Sequence, residues 1–198
     1  SSDVCSSDLV TLVVVTALVF DFTNGFHDSA NAMATSVATG ALKPKVAVLI
    51  AAILNVAGAF LSTEVAKTIS GGIVNDAVVT PTMIFAGLVG AILWNLMTWL
   101  FGLPSSSSHA LFGGLIGATL AGLGWGGVKW VGEGSSLDGV VGKVIIPALM
   151  SPAIAMIVAM VGTHFVFKVA ANLTEKYRTQ GFRWGQVGAA SLMSLSHG

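Results

Sequence analysis

The chain has 198 residues, of which 54% are hydrophobic and only 9% charged, and its mean hydropathy is +0.85. Soluble domains carry roughly 25% charged residues, so composition excludes an ordinary soluble domain and points to an all-α integral membrane protein, its apolar runs being too long for barrel strands. The formal net charge of zero offers no electrostatic footprint for nucleic acid, and a single cysteine, Cys5, excludes an intramolecular disulfide.

Residues 1–9, with the near-duplicated Ser-Ser-Asp, read as a scar segment outside the fold. The first apolar segment runs from Val10 to Leu42 and is expected to break at Asn24-Gly25, because it is long for one straight span of about 30 Å. Lys43-Pro44-Lys45 ends it. A second helix is expected over Val46–Leu61 with Asn55 in its middle, followed by a polar connector from Ser62 to Thr80 with a short interfacial helix near Glu64–Ile69. Pro81 is placed to start a third helix ending near Phe101, with Trp94 and Trp99 as interface anchors. Ala110–Leu123 is apolar but only about fourteen residues, the length of a re-entrant or half-helix segment. A glycine-rich loop covers Gly124–Gly139. Val140–Ala170 reads as a long helix kinked at Pro147 and Pro152. Asn172–Trp184 reads as a charged loop, and a last helix is expected from Gln186. Lysines and arginines concentrate in the odd-numbered loops, which places those loops in the cytoplasm if Ala110–Leu123 crosses the bilayer.

Two polar clusters interrupt this pattern. The first is Asp21-Phe22-Thr23-Asn24-Gly25-Phe26-His27-Asp28-Ser29-Ala30-Asn31. Ionisable groups at hydrocarbon depth cost several kcal/mol each and mark solute or ion pathways. On a helix, His27, Asp28 and Asn31 share one face. The plain alternative is a polar patch buried against another helix, but such patches carry one or two polar groups rather than five. The second cluster is Pro104-Ser105-Ser106-Ser107-Ser108-His109. Serine hydroxyls and the free N–H groups of a following helix make a set of donors suited to an oxyanion. A polar turn with a serine N-cap is the competing reading. A third feature, Ser196-His197-Gly198 near the end of the chain, echoes Phe26-His27-Asp28 and is what a second, inverted repeat would show.

Asn24-Gly25-Phe26-His27-Asp28-Ser29-Ala30-Asn31-Ala32-Met33-Ala34-Thr35 resembles the first motif of the Pit family of inorganic phosphate transporters. The run from Trp94-Asn95 through Phe101-Gly102-Leu103-Pro104 to His109 is similar to that family's second motif, and Ser196-His197-Gly198 resembles the opening of its second-repeat motif, with His197 as the site residue. The resemblance implies a multi-pass transporter of the plasma membrane, not an enzyme. It implies symport of phosphate, often as a metal–phosphate complex, with protons or sodium and without a resident cofactor. It also implies two inverted repeats, of which residues 10–184 form the first and 185–198 begin the second. Asn55 stands where sodium-coupled animal members carry glutamate, which favours protons. A homodimer could rebuild an antiparallel pair of repeats, but the loop charges favour one orientation, so both copies would point the same way.

Phosphate entering the membrane needs donors in place of water and a positive charge to offset its own. Asn24, Asn31, Ser105, Ser106, Ser107 and Ser108 are the candidate phosphate donors. No lysine or arginine lies in either cluster, so the co-transported cation must supply the charge, with Asp21, Asp28, Asn24 and His27 as its candidate holders. His27 and His109 are candidates to carry a proton. A channel would need a continuous polar path, whereas polarity here is confined to two clusters. A hydrolase would need a nucleophile elbow, and Ser-Ser-Ser-Ser-His has none.

Overall fold

In the computed structural model the described residues are 2–61, 73–74, 78–132 and 139–197, with side chains from residue 7. They form six α-helices: α1 Ser2–Ala38, α2 Pro44–Leu61, α3 Pro81–Leu100, α4 Ser107–Leu123, α5 Ile146–Ala171 and α6 Glu175–His197. A 3-10 turn covers Trp125–Gly127 and a π-helical turn Val141–Ile145. Among the described residues the only β pairing is an isolated bridge between Val74 and Val128. Four segments, Ser7–Ala38, Pro44–Leu61, Pro81–Leu100 and Val141–Ala171, are long and apolar enough to cross a membrane, so the chain is a multi-pass membrane protein. The expected interfacial helix near Glu64–Ile69 and the terminal Gly198 lie outside the described residues.

The chain divides into two compact units, one of residues Ser1–Asp28 and Thr63–Val144, the other of Ser29–Ser62 and Ile145–Gly198. The first unit is built on the α3–α4 hairpin. Thr80 caps α3, accepting from the Met83 N–H, and Pro81 sits in the first turn where its missing N–H is harmless. The helix stops at Gly102, whose φ of 64° closes a two-bond cap. In it the Leu103 N–H donates to the Thr98 carbonyl at 2.8 Å and the Gly102 N–H to the Trp99 carbonyl at 3.1 Å. Ser106 then caps α4 by accepting from the His109 N–H. The two helices pack with backbones nearly touching, since a Cβ at Gly114 would lie 2.2 Å from the Gly87 carbonyl oxygen. Phe20 of α1 joins Leu88 and Ala91 of α3 in one buried cluster. A second cluster of Ile73, Val74, Phe112, Val128 and Val140 lies against the middle of α4, beside a stacked Trp125–Trp130 pair at 4.3 Å.

In the second unit α2 lies on α6. Ala47, Ala51 and Ala190 are small enough to let the helices close, and Ala32 and Met33 of α1 complete the cluster. The Thr39 hydroxyl donates to Gln186 Oε1 at 2.6 Å, and Arg183 Nε donates to the Ala41 carbonyl at 3.4 Å.

Two expectations are corrected and one is refined. First, α1 does not break at Asn24-Gly25, and the helix runs through both residues. A glycine costs a helix about 1 kcal/mol, whereas each backbone group left unsatisfied in hydrocarbon costs several, so one glycine is not enough. At 37 residues, α1 is roughly 55 Å long. Second, the long fifth helix carries a widened turn, Val141–Ile145, that the sequence reading did not foresee just ahead of Pro147, and the α-helix passes through Pro152. Pro147 has no N–H to continue the regular ladder, and the widened turn precedes it. Third, residues 175–183 are not a loop. They are the first turns of α6, where Glu175 complements the helix N-terminus and Lys176, Arg178 and Gln180 are good helix formers.

Gly114→Ala is expected to destabilise the fold by about 1–3 kcal/mol, because the new methyl meets rigid backbone. Gly113→Ala, whose methyl would meet nothing within 4 Å, is expected to be neutral or mildly stabilising. Thermal unfolding of the two variants in detergent checks the contrast.

Candidate functional site

The two polar clusters meet within the first unit. The Ser107 hydroxyl donates to Asp28 Oδ1 at 3.4 Å, across 79 residues of sequence. His27 Nδ1 lies 3.4 Å from the same oxygen. His27 and Ser107 are buried, and the Asp28 side chain is 17% exposed. These separations are long for hydrogen bonds, so the interaction is largely electrostatic. Its sign is favourable, because Ser107 is the first residue of α4 and the positive end of that helix faces the carboxylate.

Thr23 and Asn24 continue the site along α1. The Thr23 hydroxyl donates to the Phe20 carbonyl at 2.8 Å, while Asn24 Oδ1 is buried with no hydrogen-bond partner among the described residues. From α3 come Asn95 and Thr98, both buried on the stripe that also carries Leu88 and Ala91. The Thr98 hydroxyl donates to the Trp94 and Asn95 carbonyls, at 3.0 and 3.1 Å. None of these residues is basic.

The four serines do not act as one ring. Ser105 Oγ accepts from Trp94 Nε1 at 3.0 Å. Ser106 serves the α4 cap and lies 2.9 Å from His109 Nδ1. Ser105, Ser106 and His109 line a groove of about 630 Å³ with Gly90, Trp94 and Gly113. Ser107 alone turns toward Asp28, and Ser108 is exposed. Asp21 is on the exposed side of α1. Asn31 and His197 are also exposed, and both belong to the second unit. Of the residues singled out from sequence, the structure therefore gathers Asn24, His27, Asp28 and Ser107. Asn95, Thr23 and Thr98, buried in the same unit, were not among the candidate binding residues read from the sequence. A lone carboxamide in the twenty-residue apolar helix α3 was the signal that pointed to Asn95.

A double-mutant cycle between Ser107→Ala and Asp28→Asn is expected to give a coupling of about 1 kcal/mol in unfolding free energy, below the roughly 1.5–3 kcal/mol of a well-made hydrogen bond to a charged group because the contact is long. The same cycle with Ser108→Ala is expected to give none.

Residues 24–198 match the family described as "Phosphate transporter family". A protein of Mycobacterium bovis named "Probable low-affinity inorganic phosphate transporter" is 56% identical over 96% of this chain and 44% of its own length. Relatives of the same name from Streptomyces halstedii and Bacillus subtilis are 45% and 41% identical, with 86% and 55% of their lengths covered. The chain thus spans less than half the length of the mycobacterial relative. A solved structure titled "The sodium-dependent phosphate transporter" superposes with a TM-score of 0.63 at 20% identity, covering 96% of this chain and 55% of that one, and shares its fold. With the family match extending over most of its length, from the first polar motif onward, this chain belongs to the phosphate transporter family.

Proposed function

We propose that the chain carries the first-repeat half of a secondary active symporter of inorganic phosphate in the plasma membrane, driven by a co-transported cation, protons in preference to sodium. The observation that carries this reading is the Ser107–Asp28 contact, which joins the serine motif to the acidic motif in one buried place. Phosphate binding falls to Ser107 together with Asn24, and cation binding to Asp28 with His27, the four candidate residues that lie together in the first unit.

The contact suggests how the two solutes are coupled. While Asp28 is ionised it repels a phosphate anion and holds the Ser107 hydroxyl for itself. A proton on Asp28 removes both obstacles, because the charge is gone and the hydroxyl is free to donate to phosphate. Neutralisation by the cation stands in for the basic side chain that the cluster lacks. Residues 185–198, with His197, begin the second repeat.

Asp28→Asn in the complete gene product is expected to abolish radiolabelled phosphate uptake by membrane vesicles while leaving membrane insertion intact. Near-normal uptake in that variant removes Asp28 from the cation site. With the unaltered protein, a protonophore is expected to collapse uptake and replacement of sodium by choline to leave it unchanged. The opposite pattern assigns the coupling to sodium.

A further inference from the structure

Asn95 is 1% exposed, yet neither its Oδ1 nor its Nδ2 has a hydrogen-bond partner among the described residues. Buried polar side chains are almost always paired, and leaving a carboxamide unmet on both atoms is costly. Leucine would fill the same space in this apolar helix without that cost. Contacts between α1 and α3 advance in the same direction along both helices. Phe20 clusters with Leu88 and Ala91, and Phe26 meets Trp99 edge to face with centroids 5.5 Å apart. Asn95 stands one turn beyond Ala91 and one turn short of Trp99, between the two places where α3 meets α1 on either side of Thr23 and Asn24.

A bound cation would satisfy only Oδ1. A ligand that meets both atoms must present a donor and an acceptor side by side. Phosphate at neutral pH does so, because it keeps at least one P–O–H next to unprotonated oxygens. Sulfate, of similar size and charge, has no proton to offer. We infer that Asn95 reads the protonated edge of phosphate, its Oδ1 accepting from P–O–H and its Nδ2 donating to a neighbouring oxygen, and so distinguishes phosphate from sulfate. The inference rests on the phosphate reading above. A site built around a buried acceptor rejects an analogue that leaves that acceptor unpaired.

The test is radiolabelled phosphate uptake into energised vesicles by the complete gene product, with sulfate or arsenate as competitor, beside thermal unfolding of each variant in detergent. The unaltered protein is expected to take up phosphate, to ignore excess sulfate and to be inhibited by arsenate, which carries the same protonated edge. Asn95→Leu is expected to raise the phosphate half-saturation at least about tenfold and to narrow the preference over sulfate, while unfolding at the same temperature or higher. Asn95→Ser, whose hydroxyl both donates and accepts, is expected to recover part of the affinity. A leucine variant with half-saturation within about twofold of the original and sulfate still excluded overturns the role of Asn95 and leaves the phosphate reading standing. A leucine variant that unfolds at lower temperature, with no recovery in the serine variant, makes Asn95 structural and also overturns the role. An unaltered protein that takes up no phosphate overturns the phosphate reading, and the role of Asn95 with it.

Discussion

In hydrocarbon every backbone N–H and C=O must find its partner inside the protein, and this constraint shapes the chain more than any single side chain does. It keeps α1 helical through Asn24 and Gly25, where local propensity alone would permit a break. It also sends spare hydroxyls back to the main chain. Thr16 and Thr23 both donate to carbonyls of their own helix, and so does Thr98. With these threonines absorbed in this way, the buried side-chain polar atoms of the first unit left without a partner among the described residues are Asn24 Oδ1 and both carboxamide atoms of Asn95.

That short inventory has an electrostatic consequence. A single carboxylate lies beside one hydroxyl, one ring nitrogen and a helix N-terminus. The same donors are the ones an oxyanion would seek. On the proposed reading, carboxylate and anion compete for one set of partners, and the co-transported cation decides between them.

Much of this was legible in the sequence because the relevant signals are local and strong. The apolar runs gave the membrane helices, and Pro81 gave the start of α3 to the residue. The acidic and serine motifs announced themselves by polarity where none is expected. What was not legible depended on weighing one energy against another, or on three-dimensional neighbours. The continuous α1 follows from comparing the cost of a glycine with the cost of an open backbone. The start of α6 was hidden because Glu175–Arg183 is mostly polar, and apolar periodicity is silent there. The separation of the four serines arises from the cap geometry at Ser106, which turns successive hydroxyls to different sides of the helix. Asn95 was visible as a lone polar residue, but its unmet atoms appear only once the neighbours are in place.

The six residues between Leu100 and Ser107 bear on how the first unit is assembled. A closed glycine cap and a serine cap on either side of Leu103–Ser105 leave the chain little freedom to close, so the entropy lost in bringing α3 and α4 together is small. The contact that unites them, Gly87 against Gly114, is made over only 27 residues of sequence. α4, at 17 residues, is roughly 26 Å long and short of the hydrocarbon thickness. Such a helix gains most by entering the bilayer already zipped to its longer neighbour. In biosynthetic terms, α3 and α4 have the makings of one insertion unit, a short local hairpin whose longer helix can carry the shorter one.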